Sequence, residues 1–145
     1  MQKILAVDWG RATLGLAVSD DLGLIAQGLA SLPRVGETQD VEAIGTYIQS
    51  LGIGAIVVGL PKNMDGSLGA SADAARAFAQ VLHERLHVPV HLWDERLTTL
   101  AAERMLVGAG VRRRARRAVV NQVAATMILQ GFLDRQRAAG DRGDS

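Results

Sequence analysis

The chain has 145 residues, 48% of them hydrophobic and 21% charged, which suits one globular domain with an aliphatic core. It has no cysteine, which excludes disulfides and thiolate metal sites. It shows neither an N-terminal signal pattern nor an apolar run of membrane length, so a cytoplasmic protein without membrane partners is expected. The net charge is only +1, yet Arg112, Arg113, Arg114, Arg116 and Arg117 put five positive charges within six residues and leave −4 on the remainder, a pattern that suits a local anion site.

Three apolar runs come first: Ile4–Val7, Leu14–Val18 and Leu24–Leu32, separated by short turns containing Gly and Asp, as in an antiparallel meander. Thr38–Leu51 follows with Val41, Ile44, Ile48 and Leu51 at helical spacing, and with Thr38 or Asp40 available as N-cap. Ala55–Leu60 is almost wholly apolar, as a strand buried on both faces would be. Ser71–Leu86 reads as a second helix with Ala75, Phe78, Leu82 and Leu86 on one side. Val88–Trp93 reads as the next strand, and Thr98–Val107 as a short helix ended by Gly108 and Gly110. Ala118–Arg137 is the last predicted helix, with Val120, Val123, Ala124, Met127, Ile128 and Gly131 as its apolar stripe. No repeat or linker divides the chain, so residues 1–137 are expected to form one domain. The tail Ala138–Ser145 lacks an apolar anchor and is expected to be disordered.

The predicted order βββαβαβαα implies right-handed crossovers and a parallel part of the sheet in the second half. Ligands of open α/β sheets gather outside the carboxyl ends of parallel strands. If the first strand is parallel to the fourth and fifth, three polar segments meet there: Asp8–Arg11, Leu60–Gly69 and Asp94–Thr99. Among them they offer Asp8, Arg11, Lys62, Asn63, Asp65, Asp94, Glu95 and Arg96. Asp8 interrupts the β pattern at a strand end beside Gly10. It can close the turn by accepting a backbone N–H, or point into a cleft and hold a metal. Asp20 ends an antiparallel strand at the opposite edge and reads as a turn residue. Carboxylates gathered from distant segments suit Mg²⁺ or Mn²⁺, and such ions can activate a water and stabilise the leaving oxygen of a phosphodiester. Asp8 and Glu95 supply two acids, Asp65 or Asp94 could supply more, and the Arg cluster supplies a surface for a polyanion.

Four ordered motifs, AVDWGRATLGLAVSD, VVGLPKNMDGSLG, LWDERLTTLAAERML and VAATMILQGFLD, resemble the YqgF/RuvX family over Ile4 to about Asp134. That family is described both as Holliday junction resolvases and as pre-rRNA processing nucleases. The resemblance implies an α/β, ribonuclease H-like fold: a five-stranded mixed sheet of three antiparallel strands, then two parallel strands with helical crossovers, flanked by helices. It implies a divalent-metal-dependent nuclease whose catalytic and metal-binding acids fall here at Asp8 and Glu95. The third family acid, an Asp before the small pair Ala124–Ala125, is Asn121 in this chain. An amide oxygen is a neutral, weaker ligand for a hard cation. Asp134 is thirteen residues further on, roughly 20 Å along a helix, too far to replace it. Capping the helix after the Arg run is the alternative role for Asn121.

Five arginines without an interleaved acid repel one another unless an anion is near, which favours a nucleic-acid surface over a merely solvated helix start. Arg11 and Lys62 are candidate phosphate contacts, or partners of the acids. Thr98 and Thr99 read as N-caps, His83, His87 and His91 as surface or strand residues, and Trp93 as core. The expected function is hydrolysis of phosphodiester bonds in processing the 5′ end of pre-16S rRNA, with structured RNA, in the small-subunit precursor, as partner. Cleavage of branched DNA, as by a Holliday junction resolvase, is the alternative. A strand–DxG–strand hairpin is also a phosphate loop in actin- and sugar-kinase-like ATPases, but those need two such domains. Asn121 keeps open a non-catalytic nucleic-acid-binding or ribosome-assembly factor.

Overall fold

A computed structural model describes residues 3–60, 70–94 and 113–141, with the side chains of all of these except residues 70, 113–121, 140 and 141. Strands β1 (Lys3–Trp9), β2 (Thr13–Ser19) and β3 (Ala26–Pro33) form the meander that the apolar runs predict. Helix α1 (Glu37–Leu51), strand β4 (Ile53–Leu60), helix α2 (Ala70–Leu86) and strand β5 (Val90–Asp94) follow, and helix α3 (Arg113–Asp141) comes last among the described elements. The five strands form one sheet in the order β3-β2-β1-β4-β5. β1 pairs antiparallel with β2, and β2 with β3, whereas β4 runs parallel to both β1 and β5. The mixed sheet is therefore the one expected from the sequence.

Alternation along the strands divides the sheet into two unlike faces. On one face Leu5, Val7, Leu14, Leu16, Val18, Ile56 and Val58 pack against Val41 and Ile44 of α1 and Phe78, Ala79 and Leu82 of α2, all of them buried. On the other, small Ala6 and Ala17 with Val57 meet Ala125, Ile128, Leu129 and Leu133 of α3. Strand β4, inside the sheet, is covered on both faces and so reads as a nearly continuous apolar run.

Three boundaries differ from the sequence-based reading. Neither Thr38 nor Asp40 caps α1; the N-cap is Gly36, without a side-chain hydrogen bond, because the Asp40 carboxylate is taken up by Arg34 and Val35. The C-terminal end of α1 does carry a glycine device: Gly52, at φ 68°, returns its N–H to the Ile48 carbonyl. Helix α3 begins at Arg113 instead of Ala118 and runs through residues 138–141, the first half of the predicted tail; Ala138 and Ala139 are strong helix formers and extend it. The predicted helix Thr98–Val107 and residues 142–145 lie outside the described residues.

Candidate active site

Asp8 is the second-last residue of central strand β1, at the carboxyl ends of the parallel strands, and only 4% of it is exposed. By alternation it shares a face with Ala6, the face that α3 covers. Its register partners are Gly15 on β2 and Gly59 on β4, so neither neighbouring strand carries a side chain beside the carboxylate. An acid at a strand end between two glycines meets no side chain from its register partner on either side. The residue type and setting fit a hard divalent cation, which takes carboxylate oxygens and retains several waters.

Helix α3 brings its first half to the same end of β1. Gln122 lies so close over β3 that a Cβ at Gly28 would meet its Cγ at 2.9 Å. Eight residues later, Gln130 accepts the Ala26 N–H (2.9 Å) and donates to the Leu24 carbonyl (2.9 Å) at the start of β3. The helix thus runs antiparallel to β3 and to β1, starting at the carboxyl end of β1. Position 121 is one turn, about 6 Å, before Ala125, which packs with Ala6. It is also eight residues inside α3, which excludes helix capping as the role of Asn121. The Arg113, Arg114, Arg116 and Arg117 positions form the opening turns of α3, up to about 12 Å further back along its axis. The side chains at these four positions and at Asn121 lie outside the described residues.

The other predicted site residues fall out differently. Arg11 is exposed in the β1–β2 turn, three residues beyond Asp8. Asp94 ends β5 opposite Leu60, and alternation puts it with Leu92 on the α2 side, away from Asp8. Trp93 faces α3, edge-on to Phe132 with ring centroids 6.1 Å apart, as a core residue would be. Glu95, Lys62, Asp65 and Arg112 lie outside the described residues, and among the described ones no three His, Asp or Glu side chains gather to hold a metal. Asp20 is a turn residue, as expected. Its Oδ1 accepts the Leu24 N–H (2.7 Å) and the Ile25 N–H (3.2 Å), and the Leu24 hydrogen bond in particular holds its carboxyl below the usual carboxylate range.

Sequence reasoning missed the Arg34–Asp40 pair. Arg34 Nε donates to Asp40 Oδ2 at 2.7 Å and its Nη1 to the Gly10 carbonyl at 2.9 Å, in the turn after Asp8. Burial pushes the Asp40 carboxyl up, but the hydrogen bond from Arg34, the Val35 N–H and the Arg34 charge outweigh it, and the carboxyl lies below its ordinary value. A spacing of six residues in the PRVGETQD stretch carries no periodic signal for such a pair.

Comparison with known proteins gives the family. A family model described as "RuvX: Holliday junction resolvase" matches residues 2–135. A protein of Moorella thermoacetica named "Putative pre-16S rRNA nuclease" is 50% identical over 133 residues, 92% of this chain and 95% of its own length. One of the same name from Geobacillus kaustophilus is 49% identical over 137 residues, 93% of this chain and 99% of its own. Among solved structures, Thermus thermophilus RuvC in complex with a Holliday junction substrate superposes with a TM-score of 0.57 at 16% identity, covering 94% of this chain and 96% of its own. That likeness identifies the fold as ribonuclease H-like. With a family model spanning residues 2–135 and relatives about half identical along nearly their whole length, the chain belongs to the RuvX family.

Proposed function

We propose that this protein is a divalent-metal-dependent nuclease of the cytoplasm that hydrolyses phosphodiester bonds at the 5′ end of pre-16S rRNA. The observation that carries the reading is the placement of Asp8. It is a buried carboxylate at the carboxyl end of the central strand, flanked by Gly15 and Gly59 and overlain by the helix that contains position 121. In this reading Asp8, Glu95 and Asn121 hold Mg²⁺ or Mn²⁺, which when bound would activate a water and stabilise the leaving oxygen. Arg11, Lys62 and the run Arg112, Arg113, Arg114, Arg116 and Arg117 neutralise the substrate backbone, a contact that does not depend on base sequence. The names of the curated relatives favour precursor rRNA as the substrate.

The family description keeps one other substrate in play, the four-way DNA junction. Junction resolution needs two symmetrical cuts and so two active sites in a dimer, whereas trimming RNA needs one. The deciding experiment is cleavage of matched structured RNA, single-stranded DNA and four-way-junction substrates with Mg²⁺ and Mn²⁺. Metal-dependent cut sites in the RNA are expected. Cleavage confined to the junction would transfer the assignment to DNA. Tight binding of RNA with no cleavage under either metal would make the protein a binding factor.

A further inference from the structure

We infer that Arg34 is a positioning residue for this site, one that sets the turn joining Asp8 to Arg11; the inference rests on reading Asp8 as a metal ligand. Arg34 grips that turn at two points. Its Nη1 donates to the Gly10 carbonyl at 2.9 Å, and its own backbone N–H donates to the Ala12 carbonyl at 2.9 Å. Arg11 lies between the two gripped carbonyls, and Asp8 is two residues before the first. The guanidinium is itself immobilised. Nε bonds Asp40 Oδ2 at 2.7 Å, while Asp40 Oδ1 accepts the Val35 N–H at 3.1 Å. The guanidinium carbon also lies 5.1 Å from the Trp9 ring centroid and 5.6 Å from that of Phe78.

The pair is largely desolvated: the side chains are 21% exposed for Arg34 and 4% for Asp40. A buried ion pair often stabilises no more than well-packed apolar residues would, so stability alone does not explain it. Directionality does. A planar fork can face a carboxylate and a carbonyl at once while stacked between two rings, and an ammonium cannot. The pair stands on the α1/α2 face, beneath Trp9, while Asp8 opens on the α3 face. Arg34 therefore reaches the site only through the backbone of the turn, as residues supporting a metal ligand from behind do.

The test compares Arg34→Lys, Asp40→Asn and Asp8→Asn in the full chain, measuring Mn²⁺ affinity by calorimetry beside melting temperature and RNA cleavage. Asp8→Asn calibrates the assay and should abolish Mn²⁺ binding at the site. Arg34→Lys, folded at the assay temperature, should weaken Mn²⁺ binding about 10- to 100-fold, the usual cost of losing a supporting partner. Asp40→Asn keeps an acceptor for Arg34 and should give a smaller loss in the same direction, which provides the reading if Arg34→Lys does not fold. A lowered melting temperature with parental Mn²⁺ affinity in both variants would make the pair purely structural and overturn the inference. Parental Mn²⁺ affinity in Asp8→Asn would instead overturn the reading of Asp8 on which it rests.

Discussion

Replacing Ala17 with Leu should lift helix α3 away from the sheet and weaken the site without touching any residue in it. Ala17 is fully buried in the cluster with Ala6, Val57, Ala125, Ile128 and Leu129, where three alanines form the seam between sheet and helix. Leu adds three carbon atoms there. If the seam had room, burying them would stabilise by roughly 2.4 kcal/mol at about 0.8 kcal/mol per methylene. If it is closed, overpacking should cost about 1–3 kcal/mol. At about 2.1 cal/mol/K of unfolding entropy per residue, a chain of this length loses roughly 3–10 °C of melting temperature for that cost. We expect the closed outcome, because the cluster is built from fully buried small residues on both sides. Urea unfolding should show a lower midpoint at unchanged slope, and Mn²⁺ affinity should fall as the start of α3 moves from Asp8. A variant more stable than the parent, with unaltered Mn²⁺ affinity, would refute the claim that this seam sets the height of the helix over the site.

Asp8→Asn should remove nearly all cleavage while retaining the fold and RNA binding, since the two side chains have the same shape; undiminished cleavage by the folded variant would remove Asp8 from the site. Replacing Arg113, Arg114 and Arg116 with Ala should weaken binding to many sequences about equally. It should also flatten the log–log salt dependence by roughly 0.7–0.9 per lost phosphate contact, and an unchanged slope would exclude contact with the backbone. Asn121→Asp should raise affinity for Mg²⁺ more than for Mn²⁺ and lower the melting temperature of the metal-free protein, where another carboxylate joins the acids. Identical metal titrations of variant and parent would place position 121 outside the site. The Asp40 carboxyl has a folded-state value below its unfolded one, so its contribution to stability is present at neutral pH and is lost as pH falls from about 4 through the folded value. The stability difference between parent and Asp40→Asn should therefore vanish in acid, and a difference independent of pH would assign the effect to packing.

Strand and helix order was legible because each element carries its own signal: short apolar runs broken by Gly and Asp turns for the meander, a period of 3.6 for α1 and α2, and an unbroken apolar run for β4. Asp8 stood out for a local reason as well, an acid where a strand pattern should end. Two other parts were hidden. The setting of the Arg34–Asp40 pair depends on Trp9, Gly10 and Phe78, all far from Arg34 in sequence. Gly15 and Gly59 gain meaning only from register, which sets each opposite Asp8. In isolation a glycine inside a strand pattern signals only a close approach of something. The start of the last helix was placed five residues late: it is predicted at Ala118 after the Arg run but begins at Arg113, and that shift removes capping from the roles open to Asn121.

The α3 face of the sheet is closed by residues more than a hundred positions after strands β1 and β2. During synthesis, β1 to β4 and α1 can pair and pack as they emerge, but Ala6, Ala17 and Val57 stay bare until the final described helix has left the ribosome. A chain cut short within α3 would therefore hold both Asp8 and a half-finished apolar sheet. Such fragments should be recognised by chaperones and proteases as unfolded and should have no nuclease activity. The order of the chain itself thus delays completion of the site until α3 has been made.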